Sequence, residues 1–200
     1  MKRLLLTLAL VTTALPSVAQ APAQGWRTIA TAEDRRRMRD WRDAWVAGLT
    51  GARTDGHQAE IAAEGVLLDP DIGLIRPAPA PGDYDCRVIK LGSQSASLTW
   101  VTYPPFHCRI ELEDGVLAFT KLTGSQRPIG RLYPDTDMRM IFLGTMQLGD
   151  ERRAYQYGID RDRDMIGMVQ RIGPARWRLV LPHPRFESLL DVIELTPRAR

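Results

Sequence analysis

The chain has 200 residues, of which 44% are hydrophobic and 26% are charged, and it contains five tryptophans. This composition is sufficient for the folded core of one domain and is not that of a disordered chain. The formal net charge is only +3 and the basic residues are interspersed with acidic ones, so nucleic acid is not expected as a partner.

The first 19 residues have the three-part pattern of a secretory signal peptide. Met1-Lys2-Arg3 is positively charged, residues 4–15 form an apolar run, and Ser17-Val18-Ala19 supplies the small residues of a cleavage site. The apolar run is shorter than the roughly 20 residues that a permanent membrane helix needs. We therefore expect residues 1–19 to be cleaved and the mature chain to be periplasmic, with no transmembrane segment. An uncut N-terminal anchor is the alternative.

Residues 20–82 are predicted to form a helical N-terminal segment followed by a connector. Thr31 is a typical N-cap residue, and four apolar residues follow at spacings of three and four, which predicts one helix ending at Gly51. These four residues are Met38, Trp41, Trp45 and Leu49. A shorter helix is predicted over residues 57–64, with a glycine directly after it. Three prolines at alternate positions then predict a stiff, extended connector over residues 76–82.

Residues 83–200 are predicted to form the β-structure, because from here on apolar residues recur with a period of 2 rather than 3.6. The strand candidates are residues 86–91, 97–103, 106–112, 116–122, 138–148, 154–157, 165–172, 176–181 and 190–195. Short strands at this spacing indicate an antiparallel β-barrel or sandwich of eight or more strands. We expect a mainly β protein of the α+β class, whose N-terminal helices pack on the β-structure or plug it.

Cys86 and Cys108 are the only cysteines of the chain. In an exported protein, an even number of cysteines without metal-ligand spacing indicates a disulfide. Cys86 begins the first strand candidate and Cys108 lies on the apolar face of another, so a bridge between neighbouring strands, or from the mouth of a barrel to its wall, is expected. In the chain-entropy model, a loop of this length contributes about 3 kcal/mol to stability. Two buried free thiols are the alternative.

The motifs that carry catalysis or bind metals are incomplete in this chain. Residues 160–164 begin like a calcium-binding loop, but Met165 and Arg171 stand where that loop needs glycine and glutamate. His183 and Glu187 are four residues apart, but prolines on both sides of the histidine disfavour the helix that would bring them together. The Gly-x-Ser-x-Gly nucleophile motif is missing. We therefore predict no catalytic residue, no metal and no cofactor.

The most concentrated polar segment is residues 123–135, whose glycines and prolines predict a loop. Arg127, Arg131, Tyr133 and Asp135 are its candidate ligand-binding residues, because arginine binds carboxylate and phosphate groups through two parallel hydrogen bonds. Loops on a rigid scaffold commonly carry such binding groups. The alternative is that these side chains are solvated or form local pairs.

Several strings of the β-region are similar to those of a known family of exported proteins from Gram-negative bacteria. The strings are Cys86–Gly92, Thr123–Pro128, Phe142–Gly144, Arg163–Gly167, Arg171–Val180 and Glu187–Leu195. On these residues the chain resembles the family called domain of unknown function 4893, over nearly the whole predicted mature chain. The resemblance implies an envelope protein of one domain, and it implies no activity, substrate or catalytic residue.

Taken together, these features favour a non-catalytic binding module for a small ligand, a peptide or an envelope protein. A hydrolase acting on an envelope polymer and a structural partner in an envelope assembly are the alternatives. A binder needs a mostly apolar cavity or an exposed patch, and a hydrolase needs a polar cleft with strained or pKa-shifted groups. A structural partner needs a large flat apolar face.

Overall fold

The computed structural model describes residues 25–95 and 98–199. The predicted signal peptide, residues 1–19, lies outside these residues, as does Ser97, where the second strand candidate begins. The helices come first in the described chain. They are α1 (Trp26–Ile29), α2 (Ala32–Arg39), α3 (Trp41–Thr54) and α4 (Gln58–Glu64), followed by a single 3-10 turn at Gly65–Leu68.

The strands follow the predicted connector. They are β1 (Gly82–Leu91), β2 (Trp100–Thr102), β3 (Phe106–Glu113), β4 (Val116–Lys121), β5 (Gln126–Thr136), β6 (Arg139–Leu148), β7 (Asp164–Gly173), β8 (Arg176–Pro182) and β9 (Leu190–Pro197). From β3 to β9 each strand pairs antiparallel with the next. β1 pairs with both β3 and β9, which closes an eight-stranded barrel, while β2 is an extra strand beside β1. The mainly β prediction is confirmed, and the fold is a barrel rather than a sandwich.

The alternation of side chains along the strands creates two separate cores. One face of each strand points into the barrel, where Phe119, Phe142 and Trp177 belong to a single buried cluster. The opposite face of several strands carries apolar residues such as Ile89 and Val192, which pack against the helices. The helices therefore cover the outside of the barrel and do not plug it.

The first helical segment is divided in two, which corrects the single helix predicted from Thr31 to Gly51. The Thr31 hydroxyl accepts a hydrogen bond from the Asp34 N–H at 3.1 Å, as expected of an N-cap. At Asp40 the backbone leaves helical geometry with a ψ of 14°. This break lets α2 lie on β7 while α3 lies on β1, β8 and β9. α4 ends as predicted, at Gly65 with a φ of 53°.

Two predictions about individual strands were wrong. Residues 123–135 are not a loop, because most of them belong to β5. The glycine that suggested a loop, Gly130, pairs with Gly144 of β6 so closely that a Cβ on either would overlap the opposite backbone. Residues 154–157, predicted as a strand, lie in the connection between β6 and β7. There the Tyr157 hydroxyl donates to the buried Asp34 carboxylate and so attaches this connection to α2.

Arg178 anchors the segment between the helices and the barrel. It lies on the outer face of β8, fully buried, and its guanidinium donates to the carbonyl oxygens of Leu67, Asp69 and Ile72 at 2.7–2.8 Å. It also donates to the side chain of Gln170 on β7. Burial lowers the pKa of this guanidinium to about 10, so it remains charged at neutral pH. One cation thus binds several carbonyl oxygens of a segment that lies outside the regular helices and strands.

The predicted disulfide is present. Cys86 of β1 and Cys108 of β3 are bonded, with Cα atoms 5.9 Å apart, and both lie completely buried inside the barrel. The bridge joins two strands that also pair through their backbones. Among the described residues, no helix has both the length and the hydrophobicity that crossing a bilayer requires.

Candidate binding site at the open end of the barrel

A cavity of about 130 Å³ opens at the end of the barrel where β4 meets β5 and β8 meets β9. We call it the mouth cavity and define it by its lining. The lining residues are Val88, Lys90, Tyr103, Phe106, Lys121, Ser125, Gln126, Pro128, Met146, Leu181, Glu187, Asp191 and Ile193. Its walls are about equally polar and apolar, and its charged groups come from three strands and the loop before β9.

Strand alternation explains why two lysines point into this cavity. Lys90 occupies the same face of β1 as the inward-facing Cys86 and Val88, and Lys121 occupies the same face of β4 as Phe119. Each lysine stands at the end of its strand, where the barrel opens. Both are nevertheless buried, with 7% and 3% of their surface exposed.

Lys90 is fully paired. Its Nζ lies 3.3 Å from Asp191 Oδ2, 3.1 Å from Glu187 Oε2 and 3.0 Å from Gln126 Oε1, so all three ammonium hydrogens have acceptors. Burial alone would lower the pKa of Lys90, but the two carboxylates outweigh it and hold this pKa above its ordinary value. Burial raises the pKa of Asp191, which Lys90 and the hydroxyl of Ser188 oppose.

Lys121 lacks such a partner. Its Nζ donates to the carbonyl oxygens of Thr123 at 2.8 Å and Gln126 at 2.9 Å, and lies 3.5 Å from the ring centroid of Phe106. Among the described residues, no carboxylate is within ion-pair distance of it. Burial, together with the positive charges of Arg127 and Lys90, lowers the pKa of Lys121 to about 8. The cavity therefore contains one neutralised cation and one cation without a counter-charge.

The four predicted binding residues lie on the opposite face of β5 from the cavity. Gln126 and Pro128 line the cavity and Leu132 lies in the barrel interior, so the odd-numbered residues of this strand face outward. Arg127 is at the rim, where it donates at 2.7 Å to the carbonyl oxygens of Gly124 and Gly149. It ties together two of the loops that surround the mouth.

The other three residues lie progressively further from the mouth. Arg131 is 3.7 Å from a carboxylate oxygen of Glu113, in the turn region at the far end of the barrel. Tyr133 packs against the helical layer. Asp135 is buried and accepts from the Trp26 indole at 2.8 Å, while Arg139 pairs with its other oxygen. A role of these residues in ligand binding stays a prediction.

The sequence did carry a signal for the residues that line the mouth. The chain has 27 basic residues, of which only Lys2, Lys90 and Lys121 are lysines. Both lysines of the described chain reach the same cavity. Each also continues an alternating apolar pattern on the buried side of its strand, a position where a charged residue is unusual.

Other candidate motifs have local structural partners. Asp164, the last of the alternating acids, is buried at the start of β7 and accepts from the Gly158 N–H at 2.8 Å. Arg163 pairs with Glu151 at 3.0 Å. Within residues 25–95 and 98–199, no cluster of three histidine, cysteine or acidic side chains is placed to hold a metal ion.

The architecture is that of a small, closed, disulfide-bridged β-barrel with an external helical layer and the mouth cavity at one end. Residues 26–195 match the family model described as Domain of unknown function (DUF4893). The chain belongs to this family. No curated protein and no solved structure matches the chain.

Proposed function

We propose that this protein is a non-catalytic binding module that takes a small ligand into the mouth cavity. The observation that carries the proposal is the cavity itself, in which apolar side chains and four converging charged groups share the lining at one end of the barrel. Mouths of β-barrels are common ligand sites, and convergent polar groups in such a cavity can orient a ligand.

The volume of the cavity limits the size of the ligand. At about 130 Å³ it is similar to an engineered cavity of roughly 150 Å³ that binds benzene, and smaller than the roughly 300–1,000 Å³ of drug-sized sites. The ligand is therefore a compact molecule, or the end of a longer one whose remainder projects from the mouth.

We further propose that the protein does this in the periplasm. The disulfide between Cys86 and Cys108 supports this proposal, because structural disulfides persist in oxidising compartments. The signal-peptide pattern of residues 1–19 supports it independently.

A substitution that fills the cavity tests the binding proposal. Val88→Phe adds a ring to the cavity wall, and Val46→Phe makes the same change on the exposed face of α3, where valine is 56% exposed. Each ¹⁵N-labelled variant is screened by NMR with a panel of small acids, amines and neutral compounds. We expect ligand-induced shifts around the mouth in the unmodified protein and in Val46→Phe, and their loss in Val88→Phe.

Two results would contradict the proposal. One is that shifts map to another surface or survive in a folded Val88→Phe variant. The other is turnover of a substrate by the purified protein, which would favour the hydrolase alternative.

A further inference from the structure

Resting on the proposed function, we propose that the ligand is a monocarboxylate with a short apolar body, and that Lys121 pairs with its carboxylate. The contrast between the two lysines of the mouth cavity carries this inference. Lys90 has an acceptor for each ammonium hydrogen, including two carboxylates. Lys121 has two backbone acceptors and no carboxylate among the described residues.

Because Lys121 is buried, water does not compensate for the missing counter-charge. An ammonium withdrawn from water loses favourable solvation unless it is paired with an opposite charge. Two carbonyl groups and the face of Phe106 compensate for part of this loss. A ligand anion would supply the remainder, because none of these three partners carries a negative charge.

The single ammonium group without a carboxylate partner favours a ligand with one negative charge. Of the two lysines only Lys121 lacks a carboxylate, and one ammonium matches one carboxylate group of a ligand. A phosphate dianion would add more negative charge to a cavity in which two lysines and two carboxylates already balance. The neighbouring walls are formed by Phe106, Met146 and Ile193, which suit an apolar body rather than a second polar group.

The choice of lysine fits this role. Basic residues elsewhere in the described chain are arginines, whose wide planar group favours two-point contacts. A compact ammonium in the wall of the cavity leaves about 130 Å³ for the ligand.

Three compounds with the same six-carbon chain and different head groups test the inference. Calorimetry measures the affinity of each for the mature protein at about pH 7. Hexanoate, hexanamide and hexylamine have similar bodies but negative, neutral and positive ends. We expect hexanoate to bind roughly ten- to a hundredfold more tightly than hexanamide, the range for one charge-assisted hydrogen bond. Hexylamine should bind least.

Two variants with side chains of similar size distinguish the role of Lys121 from that of Lys90. Lys121→Met should reduce hexanoate affinity to that of hexanamide. Glu187→Gln removes one carboxylate from Lys90, makes the mouth more positive, and should tighten hexanoate binding several-fold. Since Glu187 is at the surface of the mouth, this second variant stays informative even where Lys121→Met fails to fold.

The pH dependence gives an independent readout. The charged groups around Lys121 are Lys90 and Arg127, with Asp191 and Glu187 beyond Lys90. Because only the protonated amine attracts the anion, hexanoate affinity should fall as the pH rises above about 8. In protein carrying ¹³C-labelled lysine, hexanoate should raise the pKa of Lys121 and leave that of Lys90 nearly unchanged.

The outcomes distinguish this inference from the proposed function. Equal binding of the three compounds at the mouth, or tightest binding of hexylamine, overturns the carboxylate inference and leaves the cavity as a ligand site. Absence of mouth shifts with all three compounds and with the wider NMR panel overturns the proposed function itself.

Discussion

At the scale of single residues, two buried cations have opposite relations to their surroundings. Arg178 is saturated by carbonyl oxygens of the segment after α4 and serves the fold. Lys121 contacts two carbonyl oxygens and the ring of Phe106 but no carboxylate among the described residues, and it faces a cavity. A buried charge therefore indicates a binding role here only where its pairing is incomplete.

The structural role of Arg178 leads to a stability prediction. Arg178→Met would leave the buried carbonyl oxygen of Leu67 without this donor and would remove the bonds to the carbonyl oxygens of Asp69 and Ile72. We therefore expect the free energy of unfolding to fall by about 3 kcal/mol. The matched control is Arg176→Met on the same strand, whose partly exposed pair with Glu194 should contribute less than about 1 kcal/mol. Urea unfolding measures both, and equal losses in the two variants would contradict the assigned role.

At the scale of the elements, β5 shows that close packing can override the loop propensity of a segment. Its prolines and Gly130 are typical of a loop, yet the segment pairs with both β4 and β6. The strand is possible because Gly144 lies opposite Gly130 and the ring of Phe142 covers both. This packing exists only once β5 and β6 are side by side.

This close approach predicts the effect of a single methyl group. In Gly144→Ala the new Cβ would overlap the carbonyl oxygen of Ile129 and the ring of Phe142, so we expect a loss of roughly 1–3 kcal/mol or more. Gly51→Ala is the control, since its Cβ would meet nothing closer than 3.7 Å. There a helix-favouring residue replaces glycine in α3 and should be neutral or stabilise by up to about 1 kcal/mol. Thermal unfolding compares them, and a neutral Gly144→Ala would show that the strands can separate at little cost.

At the scale of the whole molecule, the disulfide and the N-terminal pattern of the sequence support the proposal that this protein is exported. The expected mature N-terminus is Gln20, following cleavage after Ala19. Intact-mass spectrometry of the protein recovered from the periplasmic fraction of a Gram-negative host checks this. An N-terminus at Met1 in the membrane fraction would show that the segment is retained as an anchor.

The local pattern of the sequence determined a large part of this protein. Period-2 alternation located most strands within a few residues, the cysteines on such strands predicted the correct bridge, and Thr31 marked a helix start. These features are decided by neighbouring residues, because a strand's two faces and a helix cap depend on the nearest few positions. The same pattern could not separate a barrel from a sandwich, since both use alternating strands.

Only the tertiary structure decided which strands pair and which of their faces point into the barrel. Closure depends on the pairing of β1 with β9, strands about a hundred residues apart in the chain. That closure brings Lys90 beside Asp191 and leaves Lys121 facing the same cavity from β4. It also directs Arg127 and Arg131 to the outer side of β5. The alternation of residues shows that a strand has two faces, but only long-range pairing decides which face lies inside the barrel. The candidate site consists of the residues on that inner face at the mouth.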